Sequence, residues 1–310
     1  MNQSQNVTDY PNKNTIFMVW KFKDQTDAAA VFKKLCSLVG NLNNSYAVRR
    51  PDGRTSCVMG IGHDAWIRLG MPNPLPKELV NFEPIVGIKH TAVATFGDLH
   101  FHLRAENEAI CFDMAMAISD VLRPNAECLE EVHGFRYWDG RSIIGFVDGT
   151  ENPIGEEREF FAVVGDEDPA YKGGSYLFVQ KYLHNMKDWK SLSTEEQEKV
   201  IGRSKMDDIE MSDEVKPSNS HSALTAITDE NGDELKIVRD NMPFGNPSKG
   251  VAGTYFISYA STFSTTKRML ENMFIGNPPG NYDRILDFST AQTGTLFFVP
   301  TLDMLDQFGE

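Results

Sequence analysis

The sequence predicts an α+β protein built as duplicated ferredoxin-like domains, two split-βαβ units with antiparallel sheets. Three observations lead there. The runs at 15–22 (TIFMVWKF) and 175–182 (SYLFVQKY) match in length and texture, and both read as strands. Helical spacing follows each of them. Each half then reads as strand, helix, strand, strand, helix, strand, which is the split-βαβ plan. With 310 residues the chain accommodates two domains, placed at 1–140 and 141–310.

In the first half, residues 15–22 alternate apolar and polar side chains. Residues 27–42 show helical spacing through Ala30, Val31, Leu35, Leu38 and Leu42, with Asp27 as cap. A second strand spans 55–61, and a short helix opens at His63 and ends near Gly70. Residues 71–84 hold four prolines and form a loop. The next strand region covers 93–96 and 98–103. Residues 107–122 make an amphipathic helix through Ile110, Met114, Ala117, Ile118 and Val121. The β-prone run 143–147 ends in Asp148.

In the second half an apolar run at 160–164 precedes the strand at 175–182. Helices follow at 186–189 and 194–202, the latter with Thr194 to Gln197 as a capping box. Strands at 223–228 and 234–238 flank the turn signal Glu230-Asn231-Gly232-Asp233. A strand at 254–259, a helix at 265–274, an irregular stretch at 280–290 and a final strand at 294–300 complete the half. Residues 205–219 and the proline- and glycine-rich 242–253 read as long loops, a length more often functional than decorative.

Composition narrows the function. The formal net charge of -14 repels phosphate backbones and anionic lipids, so neither nucleic acid nor a membrane surface is an expected partner. No leader pattern and no run of about 18 apolar residues occurs. Cys36, Cys57, Cys111 and Cys128 lack metal-ligand spacing and read as buried free thiols of a reducing compartment. A cytoplasmic location is expected.

Among seven histidines, His63, His90, His133 and His184 have no partner at ligand spacing. His100 and His102 face one side of a strand, but no third ligand is apparent and a packed pair is the better reading. His221 leaves the loop 217–220 and precedes an apolar run read as a strand. Arg239 ends the run 235–238, and Asn241 lies two residues on, on the same face. Asp148 stands in the stretch Gly145-Phe146-Val147-Asp148-Gly149-Thr150-Glu151-Asn152-Pro153, where Asp-Gly and Asn-Pro are turn signals. An imidazole, a carboxylate, a guanidinium and a glycine that admits close approach would suit haem peroxide chemistry.

Three segments carry a resemblance: Gly145-Phe146-Val147-Asp148-Gly149, Asn219-Ser220-His221, and Ile237 through Gly245 (IVRDNMPFG). They resemble the dye-decolourising peroxidase family, closest to its compact bacterial subgroup. Residues 97–105 (GDLHFHLRA), 201–205 (IGRSK) and 287–290 (DFST) extend the likeness over nearly the whole chain. The resemblance implies haem b, one per chain, held mainly by the C-terminal half, with His221 as the proximal iron ligand. Asp283, with Asp287 second, is the acid expected to orient that imidazole. Asp148 and Arg239 would act on the distal face, as proton shuttle and charge stabiliser, with Asn241 completing the set. Gly149, Thr150 and Glu151 would bring backbone near the porphyrin, and Arg203 would meet a propionate.

The implied activity is reduction of hydrogen peroxide through a ferryl intermediate, with oxidation of dyes, phenols or other small reductants. Dye oxidation is expected to peak below neutrality, because a carboxylate base persists where a distal histidine would be protonated. The rival is a haem-binding or haem-delivery protein with incidental peroxidase activity, for which Asp148 and Arg239 would be dispensable. A chlorite-converting or haem-decarboxylating relative would lack the Asp148 signature, and a non-haem binding module would take up no haem. Homo-oligomers are common in the family. Its shell-docking tail is not evident after Phe308-Gly309-Glu310. Trp138, Tyr255, Tyr259 and Tyr282 are conceivable electron relays, with core packing the favoured role for each.

Overall fold

A computed structural model describes residues 3–309. Ten strands form one antiparallel sheet: β1 Asn14–Phe22, β2 Ser56–Gly62, β3 Leu99–Ala105, β4 Ala126–Phe135, β5 Ser175–His184, β6 Val238–Arg239, β7 Met242–Asn246, β8 Val251–Ala260, β9 Ser289–Ala291 and β10 Thr295–Val299. The order is β6-β8-β5-β10-β2-β3-β1-β4, with β7 also on β8 and β9 also on β5. In each half the third strand lies beside the first with the second outside it, and the fourth flanks the first on the other side. That is the ferredoxin-like arrangement, made twice. The halves join where Phe297 and Phe298 of β10 pair with Gly62 and Ile61 of β2.

Period-two alternation sorts the core into layers. Ile16, Met18 and Trp20 of β1 face the helices Ala28–Arg49 and Glu108–Leu122, whereas Phe17 and Val19 point to the opposite face. There they meet Val58, Leu177, Val179, Tyr255, Ile257, Tyr259 and Phe297. Strands buried on both faces read as continuous apolar runs, so in β1 the alternation expected over 15–22 gives way to a nearly unbroken apolar and buried run, and β5 is similar. Asp27 caps the first helix as expected, accepting from the Ala30 N–H at 3.1 Å. Ser193, not Thr194, caps Thr194–Ile201 and completes its capping box with Glu196.

Several expected elements differ. The run 143–147 is a turn, because Ile144 and Phe146 anchor in a small core with Trp189, Val200 and Ile201, and the Gly145 N–H returns to the Ser142 carbonyl. Residues 160–164 belong largely to the helix Glu157–Ala162. His221 begins the short helix His221–Thr225, so the strand predicted there shrinks to Ile227–Thr228. The stretch 242–253 is mostly strand: Pro243 lies in β7, which pairs with β8 alone and so spares the missing N–H. Strand β4 was not expected, because at the sheet edge it carries glutamates rather than an alternating pattern. A helix, Leu302–Gly309, follows the last strand. Cys36, Cys57 and Cys111 are buried thiols, but Cys128 is exposed.

Candidate active site

The helical layer of the C-terminal half leaves an apolar cavity open to solvent, walled by Ile144, Phe146, Ile237, Phe256, Met269 and Leu270 among others. His221, Asp148, Arg239 and Asn241 all reach it. A second cavity shares His221, Asp148 and Arg239 and continues to Gly149, Thr150, Glu151 and Arg203. Four polar groups from distant parts of the chain thus converge on a mostly apolar space, as ligand sites commonly arrange them.

His221 is held from behind. Its Nδ1 lies 2.6 Å from Asp283 Oδ2, and Asp283 is completely buried. The other Asp283 oxygen accepts the Ile285 N–H at 3.0 Å, which fixes the carboxylate. A carboxylate at Nδ1 makes that nitrogen the donor and leaves the Nε2 lone pair free. Gly202 sets the helix start close by. It ends Thr194–Ile201 at φ 89°, and a Cβ there would come within 2.1 Å of Ser222 Oγ. Asp287 is engaged elsewhere, by Lys89 at 2.5 Å, His90 at 2.9 Å and Tyr282 at 3.1 Å. Burial raises its pKa, but these hydrogen bonds outweigh that and hold it below the usual carboxylate range.

Asp148 follows a loop pinned by Arg141, whose Nη1 donates to the Gly145 carbonyl at 2.9 Å and to that of Lys205. Its Oδ1 accepts from Asn241 Nδ2 at 3.2 Å, while Asn241 Oδ1 accepts the Ile257 N–H at 3.1 Å. Among the described residues the Arg239 guanidinium has no hydrogen-bond or ion-pair partner, so a cation faces the cavity uncompensated. Arg203 reaches the rim, but its guanidinium is taken by Glu151 at 2.7 Å and Asp208 at 2.9 Å. Thr150 also donates to Asp208, at 2.5 Å. A propionate would have to compete with these acids.

Two further residues carry no signal of a role in the sequence. His184 lines the wall, with Nδ1 on Ser289 Oγ and Nε2 on Thr254 Oγ1, both at 2.8 Å. Burial pushes it down to about 4, so it stays neutral and offers no free nitrogen. Asn152 bonds the main chain of Arg239, a contact with no sequence signature beyond a turn-forming Asn-Pro. His100 and His102 are wholly buried, and among the described residues no group of three or more His, Cys, Asp or Glu is placed to hold a bare metal ion.

An apolar slot, one imidazole with a free nitrogen and a buried carboxylate behind it, and a free guanidinium fit a haem. The class so defined is an α+β protein whose pocket suits a haem and is lined by an acid and a cation. Family models for the N-terminal and C-terminal parts of the Dyp-type peroxidases match residues 4–136 and 139–304. The chain belongs to the Dyp-type peroxidase family, and the protein is a haem peroxidase, an oxidoreductase. It is 52% identical over 291 residues to a dye-decolorizing peroxidase of Rhodococcus erythropolis, covering 94% of this chain and 84% of that one. A dye-decolorizing peroxidase of Bacteroides thetaiotaomicron superposes with TM-score 0.96 at 54% identity, covering 100% of this chain and 99% of that one. A variant of Rhodococcus jostii DypB, solved in complex with heme, gives TM-score 0.93 at 45% identity, with 98% of each chain covered. Among the described residues no helix is long and apolar enough to cross a membrane.

Proposed function

We propose that the protein reduces hydrogen peroxide at one haem b per chain, ligated by His221 Nε2, and oxidises dyes, phenols or other small reductants. The observation that carries this reading is His221, locked by Asp283 at 2.6 Å, sharing one apolar cavity with Asp148, Asn241 and the free Arg239. When bound, the haem would supply the iron that binds peroxide and would hold the two oxidising equivalents that peroxide delivers until the reductants take them up. The chain's own residues do the rest. Asp148 takes the proton from the inner peroxide oxygen and returns it to the outer one. Arg239 stabilises the negative charge that develops as the O–O bond breaks. Asn241 holds the Asp148 carboxylate in place. Residues 1–140 and 141–310 act as two domains, of which the second carries these groups. A cytoplasmic setting agrees with three buried thiols, Cys36, Cys57 and Cys111, each pushed up to about 12 by burial.

Stopped-flow absorption of the haem-loaded protein mixed with peroxide tests the reading. Wild type should react fast, and Asp148→Asn and Arg239→Ala should each be slower by roughly 100- to 1,000-fold. Equally slow reaction in all three would favour a haem-delivery protein, which has no use for either side chain.

A further inference from the structure

We infer that Asn152 is a positioning residue that fixes the acid loop to the arginine strand and so sets where Asp148 and Arg239 stand relative to each other; this rests on the peroxidase reading above. Asn152 Nδ2 donates to the Arg239 carbonyl at 2.8 Å, and the Arg239 N–H donates to Asn152 Oδ1 at 2.9 Å. One side-chain amide therefore satisfies both main-chain groups of Arg239, on a strand whose ladder partner is β8. It does the work of a second strand in two hydrogen bonds. The contact spans 87 positions in sequence, so the two segments are joined by the fold and not by chain continuity.

The loop is shaped to deliver that amide. The Asn152 N–H donates to the Gly149 carbonyl at 3.0 Å, closing a turn directly after Asp148. Gly149 has φ 87°, and a Cβ built on it would lie 3.0 Å from Asn152 Nδ2. The glycine after the acid thus serves the asparagine: it supplies the left-handed backbone and leaves room for the amide to pass. Pro153 favours extended backbone at Asn152, and the buried Arg158 grips the Pro153 carbonyl at 3.1 Å. The second tie is Asn241 to Asp148 at 3.2 Å, a longer bond made side chain to side chain. Asn152 holds the main chain, and Asn241 trims the carboxylate.

At neutral pH, among side chains of this length, a carboxamide alone offers an acceptor and a donor at the spacing of a peptide group. Alanine leaves both Arg239 main-chain groups without their partner. Aspartate at neutral pH keeps the acceptor but sets an anionic oxygen against the Arg239 carbonyl. A protonated carboxyl, however, again has one donor O–H and one acceptor C=O. The cleft that holds Asn152 also presents Arg136, Tyr137, Arg141, Asp148 and Arg239, so every rate is taken as a ratio to wild type at the same pH.

The test is the stopped-flow rate of haem-loaded wild type, Asn152→Ala and Asn152→Asp with peroxide, from neutrality down through the carboxyl range, with hydrogen exchange at the Arg239 amide read in the same preparations. Asn152→Ala should be slowed by up to roughly a hundredfold at every pH, with haem affinity unchanged and the Arg239 amide unprotected. Asn152→Asp should be as slow at neutral pH, and its ratio to wild type should climb toward one on acidification while amide protection returns. A flat ratio for Asn152→Asp, or rates equal to wild type in both variants, overturns the inference and leaves the peroxidase reading standing. Free exchange at the Arg239 amide in wild type also overturns it, and needs no variant to fold. Wild type that fails to react with peroxide sinks both.

Discussion

His221 and His102 each form a hydrogen bond through Nδ1 and each lie near a buried aspartate. His221 bonds Asp283 at 2.6 Å and opens its other nitrogen to the cavity. His102 bonds the Tyr259 hydroxyl at 2.8 Å, turns Nε2 toward Asp240 at 3.5 Å, and stacks on Phe17 at 4.9 Å with no exposure. In sequence the His100-x-His102 pair looks more like a ligand set than a lone histidine after a loop. The expectation that the pair is packed holds in the fold, where both rings are wholly buried. Strand β3 is covered on both faces, so its histidines become core, whereas the start of a short helix leaves His221 one side to lean on and one side open. Ligand capacity follows from the free nitrogen and the space before it, not from the spacing of residue types.

The closed region should break at its ion pair. Asp240 lies between Arg239 and Asn241 but points away from the cavity, to Arg104 Nη1 at 2.9 Å, with both side chains almost fully buried. Arg104→Ala strands that carboxylate and should cost about 3 to 5 kcal/mol in chemical denaturation. A loss below about 1 kcal/mol, the range of a solvated surface pair, would mean that the core pair does not hold the two halves together.

The buried histidines should also sharpen the comparison through pH. Burial pushes His100 down to about 3 and His184 to about 4, while the unfolded chain protonates histidine near pH 6.5. Below that value the unfolded state binds more protons, so stability is fully present above about pH 6.5 and falls as pH drops toward 4. Each such histidine contributes a slope of about 1.4 kcal/mol per pH unit, and His184 alone roughly 3 kcal/mol over the window. Urea midpoints measured across it should fall with acid. Midpoints that stay level would show that these rings protonate within the fold.

Much of this layout was legible in the chain. Double-sided burial makes β1 and β5 conspicuous, and caps and periodicity mark the long helices. Asp148, His221, Arg239 and Asn241, chosen from the sequence, do share one cavity. Other features have no local signal. Strand β4 exposes glutamates at an edge, so alternation is hidden. Asp283 and Asp287 differ only in what surrounds them: a helix-start histidine for one, Lys89, His90 and Tyr282 for the other. Arg203 is claimed by Asp208, five residues on, in a loop whose path no propensity fixes. Asn152 reads as a turn former because its partner is another segment's backbone.

The most direct measurement is titration of the purified protein with haem, followed at the Soret band, for wild type, Asp283→Asn and His221→Ala. Wild type should saturate at one haem per chain with a histidine-ligated spectrum, Asp283→Asn should bind roughly 10- to 100-fold more weakly, and His221→Ala should lose that spectrum. A wild-type band that survives unchanged in His221→Ala would place the iron somewhere other than this cavity and contradict the account.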